Sequence, residues 1–360
     1  MPAEWEHQEA VLLSFPRRDG DWGELLDSVA RQHLELIITI AEVTPVRLLV
    51  ADEILLLDTL RKCPEFGLNF IEAKELTGSK QIAPALLAGI ILNKPVHLFF
   101  LPMDDVWARD FAPITVLRNN QPVLLDFTFN GWGNKFDAQL DNTSSRRLHT
   151  AGFFGHPPLE TIDLVLEGGS IESDGAGTIM TSSQCLLSKE RNPDLTQDEI
   201  TQRLKILLGA ERILYLDHGH LIGDDTDAHI DTLARFTSED TIVYQACDDV
   251  DDEHYESFQL MEEQLKSFRR RNGEPYRLLA LPWHPPTYSS EDNRRLPGSY
   301  ANFLITNGAV IIPGAGKQTD ELAVAVIQQA LPDHRMLLVD AWYFVEQHGS
   351  VHCLTMQLLA

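Results

Sequence analysis

A cysteine, a histidine and several carboxylates occupy corresponding points of an otherwise repetitive chain. Asp110 ends the polar run 104–110, Glu167 precedes Gly168-Gly169, His229 and Asp231 close the run 225–231, and Cys353 follows His352 near the C-terminal end. Used together without a metal, such groups suit attack on a guanidinium. That ion is planar, cationic and carries five N–H donors in a fixed fork. Asp110 and Asp231 are candidates to clamp it through charge-assisted hydrogen bonds worth about 1.5–3 kcal/mol each. Cys353 is the candidate nucleophile, soft and strong once ionised. A free thiol titrates at about pH 8.5, so few are ionised at neutral pH. A guanidinium about 4 Å away, at an effective dielectric near 20, would favour the thiolate by about 4 kcal/mol. The carboxylates act oppositely, so activation would fall largely to the substrate. His229 can protonate departing ammonia and then deprotonate the attacking water, with Glu167 as a further proton carrier or orienter.

Each residue alone has a plainer reading. Asp110 can pair with Arg109, Cys353 can be a small core hydrophobe, and His229 can be a hydrogen-bonded core histidine. Their shared place in a repeat is what joins them. The other cysteines, Cys63, Cys185 and Cys247, stand away from these points and are expected to be dispensable for the chemistry.

Four segments share one grammar, a β-rich run, a polar turn and a second β-rich run: 111–127, 168–182, 232–245 and 301–314. Their turns hold Asn119-Asn120, Asp174-Gly175, Glu239-Asp240 and Asn307-Gly308, residue types suited to tight hairpins. A helix and another strand follow in the later repeats, with helices expected over 194–208, 255–269 and 319–331. The N-terminal part repeats this loosely, with a helix over 25–42 and a second helix before HLFFLPM. Two strands are left over at the chain ends, AVLLSF and SVHCLTM. If they pair, they complete a fifth unit and close a ring, which removes exposed sheet edges. The fold expected is α/β, a five-bladed pseudosymmetric ββαβ propeller, forming one catalytic domain over residues 1–360. An α+β sandwich is the alternative that periodicity leaves open. Strand ends at equivalent points of a closed repeat converge on its axis, so the polar groups would share one pocket.

Composition narrows the partners. A net charge of −25 over 360 residues repels nucleic acid and anionic membranes and attracts cations. The four cysteines form no CxxC pair, which argues against a disulfide framework or a thiolate zinc site. The start MPAEWEHQEAVLLSFP lacks the order of a secretory signal, and no apolar run approaches the roughly 20 residues of a membrane span. The expectation is a cytoplasmic protein that takes a small cationic guanidine compound, with no nucleic-acid or membrane partner. A homodimer is left open.

The motifs MPAEWEHQEAVLLSFP, VWARDFAPI, FNGWGNKFD, LEGGSIESDG, DTDAHID, CLLSKERNP and SVHCLTMQ resemble the agmatine deiminases, in the branch related to bacterial peptidylarginine deiminases of the guanidine-modifying superfamily. The resemblance runs nearly from end to end. It implies a covalent amidino-thioether intermediate without metal or organic cofactor, and conversion of agmatine to N-carbamoylputrescine and ammonia, a step toward putrescine. By motif, Cys353 is the nucleophile, His229 the acid/base, Asp110 and Asp231 the clamp, and Glu167 an active-site carboxylate. The resemblance also implies that Trp107 packs along the substrate's methylenes. Asp225 stands where the family often has Glu, in position to meet a distal ammonium.

The chain departs from the family pattern at Gln347-His348-Gly349-Ser350, where Gly-Gly-Gly-Asn is usual, and at Ala228 and Ala112, where Gly is usual. Free arginine and peptidyl-arginine are the alternative substrates. Two remoter readings are a metallohydrolase built on His218, His220, Asp224, Asp225, Asp227, His229 and Asp231, and a non-catalytic guanidine-binding protein. The first lacks a helix-spaced HExxH-type motif.

Overall fold

The computed structural model describes residues 1–66 and 94–359. The regular repeat of β-branched and aliphatic runs becomes a series of small sheets. In four of them an antiparallel hairpin is joined by a third, parallel strand. These are Ile114–Arg118, Gln121–Thr128 and Leu159–Val165; Ile171–Ser173, Thr178–Ser182 and Arg212–Leu216; Ala234–Ser238, Thr241–Gln245 and Arg277–Leu281; and Leu304–Thr306, Ala309–Gly314 and Arg335–Asp340. The first hairpin turns through Asn119 and Asn120 at φ 52° and 59°, the left-handed pair that matches strand twist.

A helix connects the second and third strands of each sheet: Asp141–Thr150, Gln197–Leu208, Tyr255–Ser267 and Thr319–Ala330. The second begins at Gln197 rather than 194 because Thr196 caps it. Its hydroxyl accepts from Glu199 N, and the Glu199 carboxylate takes Thr196 N–H at 2.8 Å.

The chain ends pair as expected. Gln8–Phe15 runs antiparallel to Thr355–Leu359 and parallel to Val46–Val50, which in turn pairs with Val96–Phe100. The helices Leu26–Ala41 and Glu53–Lys62 connect these strands. One detail of the reading changes. The closing strand starts only at Thr355, so His352 and Cys353 lie in the turn that leads into it.

The hairpin entries are also tighter than a strand end. Single helical turns stand at three of them: Ala108–Phe111, Gly168–Ser170 and Ile230–Thr232. The first packs on the second, the second on the third, and the first also on the closing strand. A helical turn points its N–H groups one way along its axis, whereas those of a strand alternate from edge to edge. The polar groups are thereby gathered.

Among the described residues no helix is long and apolar enough to cross a membrane.

Candidate active site

Cys353 is buried, 6% exposed. Its Sγ lies 3.1 Å from Asn302 Nδ2, which donates to it, and 3.6 Å from Asp231 Oδ2. Burial, and then the charges of Asp231 and Asp110, push this thiol well above the ordinary cysteine range. In this buried, carboxylate-rich setting the thiol keeps its proton, and a cation bound beside it would favour the thiolate.

Asp110 is fixed through both oxygens. Oδ1 accepts from Gly169 N at 2.9 Å and Oδ2 from Trp132 Nε1 at 2.9 Å. Burial raises its pKa to about 6, opposed by His229 and assisted by Asp231. Arg109, its sequence neighbour, does not neutralise it; Arg109 pairs with Glu4 at 3.7 Å instead. Trp132 reaches Asp110 from a left-handed backbone, φ 55° and ψ 45°, a conformation that costs a bulky residue about 1–3 kcal/mol. Gly169 is required by crowding. A Cβ there would lie 2.7 Å from His229 Nδ1, 2.9 Å from Asp110 Oδ1 and 3.1 Å from Asp231 Oδ2.

His229 is fully buried, with Nδ1 3.7 Å from Asp110 Oδ1. Burial alone would lower its basicity, but Asp110, Cys185 and Glu167 outweigh that and raise it well above the usual imidazole range. The ring is an imidazolium at neutral pH. Glu167 is bound at both oxygens by Arg191 Nε, at 2.8 and 3.0 Å, and Arg191 Nη1 also reaches Asp227 Oδ2 at 2.6 Å. Asp231 accepts from His352 Nδ1 at 2.7 Å through Oδ2, while Oδ1 is buried with no hydrogen-bond partner among the described residues.

These groups border a cavity of about 220 Å³. Asp110, His229, Cys353, Trp107 and Asp225 line it; Asp231 and Glu167 stand behind that lining. Asp21, Asp105 and Asp224 add further carboxylates to its wall, and Arg294 adds a cation. Burial raises Asp105 to about 7 and also raises Asp225, the latter opposed by His348. Gln347, His348 and Gly349 line the cavity as well, so the departure from the family's glycine run faces the site. Gly349 presses on Trp107, where a Cβ would lie 2.2 Å from the indole ring.

Four residues that matter here were not singled out from sequence: Asn302, Arg191, Cys185 and Glu4. Asn302 stands at the entry to the last hairpin, and the repeat rule applied there would have found it. Cys185 and Arg191 both lie in CLLSKERNP. The expectation that Cys185 lies away from the chemistry is corrected. Glu167, Cys185 and His229 present atoms all within 4.8 Å of one another. The turn Ser183–Leu186, which follows its hairpin rather than preceding it, brings the thiol back to the site. Among the described residues, the other triad of this kind is Glu4, Glu172 and His352. Of the metallohydrolase set between 218 and 231, only His229 belongs to either.

A family model for Porphyromonas-type peptidyl-arginine deiminase matches residues 1–358. A Legionella pneumophila protein provisionally named agmatine deiminase is 33% identical over 364 residues, 99% of this chain and 94% of the relative. A Porphyromonas gingivalis structure provisionally named arginine deiminase is 40% identical, with TM-score 0.84 over 99% of this chain and 97% of that one. A Cys-to-Ser variant of the C. jejuni agmatine deiminase, with substrate bound, is 35% identical, with TM-score 0.84 over 100% and 96%.

Proposed function

The chain belongs to the Porphyromonas-type peptidyl-arginine deiminase family, and we propose that it is an agmatine deiminase acting through a covalent amidino-cysteine intermediate. The observation that carries this reading is the buried Cys353 thiol in one cavity with the Asp110 carboxylate and the His229 imidazolium, with Asp231 behind it.

The guanidinium enters an acid-lined cavity. Asp110 and Asp231 accept its N–H groups, and its charge offsets the two carboxylates that keep Cys353 protonated. The thiol then gives up its proton to solvent. The thiolate attacks the guanidine carbon, the C–S bond forms, and one C–N bond breaks as His229 hands its proton to the departing ammonia. Neutral His229 next takes a proton from water. The hydroxide adds to the amidino carbon, the C–S bond breaks, the hydroxyl proton passes to the departing sulfur, and the neutral ureido product leaves. In this scheme Glu167, held by Arg191, orients His229 rather than carrying protons. Trp107 lies along the methylenes and Asp225 faces the distal ammonium. No step requires a metal or organic cofactor.

The five larger sheets, with Asp110, His229 and Cys353 brought from three of them to one cavity, support a closed five-bladed ββαβ propeller forming one domain. The four cysteines are free and buried, in keeping with a reducing cytoplasm.

The test is to offer agmatine, free arginine and an arginyl peptide, and to measure ammonia and ureido product from each. Agmatine is expected to react fastest. One observation favours the second reading, arginine or peptidyl-arginine: Arg294 lines the cavity among the acids and could meet a carboxylate. Faster release from either of those substrates would replace agmatine with it.

A further inference from the structure

Behind the cavity, Asp231 continues into buried polar groups that the deimination scheme does not use: His352, Glu4 and Arg235. His352 sits between two carboxylates, with Nδ1 2.7 Å from Asp231 Oδ2 and Nε2 2.6 Å from Glu4 Oε2. Both oxygens accept while ionised, so each ring nitrogen stands where an N–H would donate to a carboxylate. Glu4 is itself anchored. Its Oε2 also accepts from Arg235 Nη2 at 2.8 Å, and its Oε1 accepts from Ile305 N at 2.7 Å. The order Arg235, Glu4, His352, Asp231 alternates donor and acceptor and ends 3.6 Å from the Cys353 sulfur.

Resting on the deiminase reading above, we propose that His352, backed by Glu4, is a positioning residue that holds Asp231 ionised and turned so that Oδ1 stays free for a guanidinium N–H. His352 occupies Oδ2 alone, and Oδ1 is left buried without a partner among the described residues. A buried carboxylate with neither oxygen bonded would protonate or rotate toward another donor. Burial does press Asp231 upward, but the bond and charge from His352 hold it below the usual carboxylate range.

The plainer alternative is that His352 only pins the segment around Glu4 to the turn before the closing strand. Two isosteric swaps separate these roles. An Asn amide nitrogen stands as many bonds from Cα as imidazole Nδ1, and a Gln amide nitrogen as many as Nε2. His352→Asn therefore restores a donor toward Asp231, and His352→Gln restores one toward Glu4. Positioning predicts that His352→Asn keeps kcat/KM for agmatine within about tenfold of wild type, while His352→Gln loses at least a hundredfold. A pinning role predicts the reverse order, and equal losses would also overturn the proposal.

The same comparison can be made without turnover, as the ratio of Cys353 alkylation rates by chloroacetamidine and by neutral chloroacetamide. That ratio is expected to fall at least tenfold in His352→Gln but less than threefold in His352→Asn. A wild-type protein that deiminates no guanidine would end the deiminase reading, yet the alkylation ratio would still decide the role of His352. Should either variant fail to fold, nitrogen-15 NMR of the histidine-labelled wild type decides. Protected imidazolium signals from both His229 and His352 are expected, and a neutral His352 ring overturns the proposal.

Discussion

Asn302 Nδ2 donates to Cys353 Sγ at 3.1 Å, while Asn302 Oδ1 accepts the main-chain N–H groups of His352 at 3.0 Å and Cys353 at 3.3 Å. One amide thus fixes the turn that carries the sulfur and supplies a donor to it. A thiolate gains more from that donor than a thiol does. Asn302→Ala should lower kcat by about 10- to 100-fold, as the loss of a charge-assisted bond of about 1.5–3 kcal/mol implies. Asn302→Asp should do worse, because it adds a third carboxylate beside a sulfur that already resists ionisation. Steady-state kinetics on both variants checks this; an Asp variant more active than the Ala variant would remove the electrostatic account.

The cysteines should separate into three classes. Cys353→Ser should fold and lose turnover, since a hydroxyl is scarcely ionised. Cys63→Ser and Cys247→Ser should stay within about twofold of wild type, because neither is near the cavity lining. Cys185→Val should fall between, about 5- to 50-fold down in kcat with little change in KM, through loss of the polar side chain placed against His229 and Glu167. Product release measured for all four variants tests the ranking.

A cation should be bound better as the clamp ionises. Asp110 has its carboxyl raised to about 6 by burial, and Asp105 on the cavity wall to about 7. Below those values each is neutral and offers no charge to a guanidinium. The dissociation constant of an unreactive alkylguanidine, followed by calorimetry, should therefore fall as pH rises from 5 toward 8, by about tenfold or more. Binding near pH 6 should release protons into the buffer. Affinity that is flat across this range would mean that neither carboxyl faces the ligand. The sign for stability is opposite. A carboxyl raised above its unfolded value near 3.8 stabilises the fold most at low pH, and that contribution is lost as pH rises through about 6 for Asp110 and about 8 for Asp141.

The repeat made much of the site legible before any coordinates. Hairpins, connecting helices and the pairing of the chain ends all follow from short alternating runs separated by turn residues, and the active-site side chains stand at equivalent entries. The missed groups fall into two kinds. Asn302 stands at an equivalent entry, but an uncharged amide in a turn is of a type that turns hold for their own hydrogen bonds, so its type alone does not mark the site. Glu4, Arg191 and Cys185 obey no local rule: they reach the site through pairs 348, 24 and 44 positions apart in sequence, Glu4 to His352, Arg191 to Glu167 and Cys185 to His229. Buried contacts of such separation are set by how units pack, which periodicity does not encode. The closing turn was read as strand because Val351 and Leu354 are as apolar as the strand that follows. The backbone bends there because Asn302 takes the N–H groups that a sheet partner would otherwise take.

Substrate choice rests on the far end of the cavity. Agmatine carries a bare ammonium where arginine carries a carboxylate beside its amine. Asp225 lines the wall together with Asp21, Asp105 and Asp224, and the chain's −25 charge biases the approach of cations in the same direction. Burial raises Asp225, so it binds an ammonium best after giving up its proton, and the ligand's own charge favours that. Asp is one methylene shorter than the Glu usual at this place, so a water can complete the contact. An ammonium held equally in ground and transition states affects KM rather than kcat. Asp225→Asn is therefore expected to raise KM for agmatine about 5- to 30-fold, to change kcat less than threefold, and to leave the rate with a neutral-tailed alkylguanidine nearly unaltered. Arg294→Ala, which removes the cation from the same wall, should lower KM for agmatine and raise it for arginine. An unchanged KM in Asp225→Asn, or a better agmatine rate with Arg294 intact than without it, would move the recognition of the substrate's tail to another part of the wall.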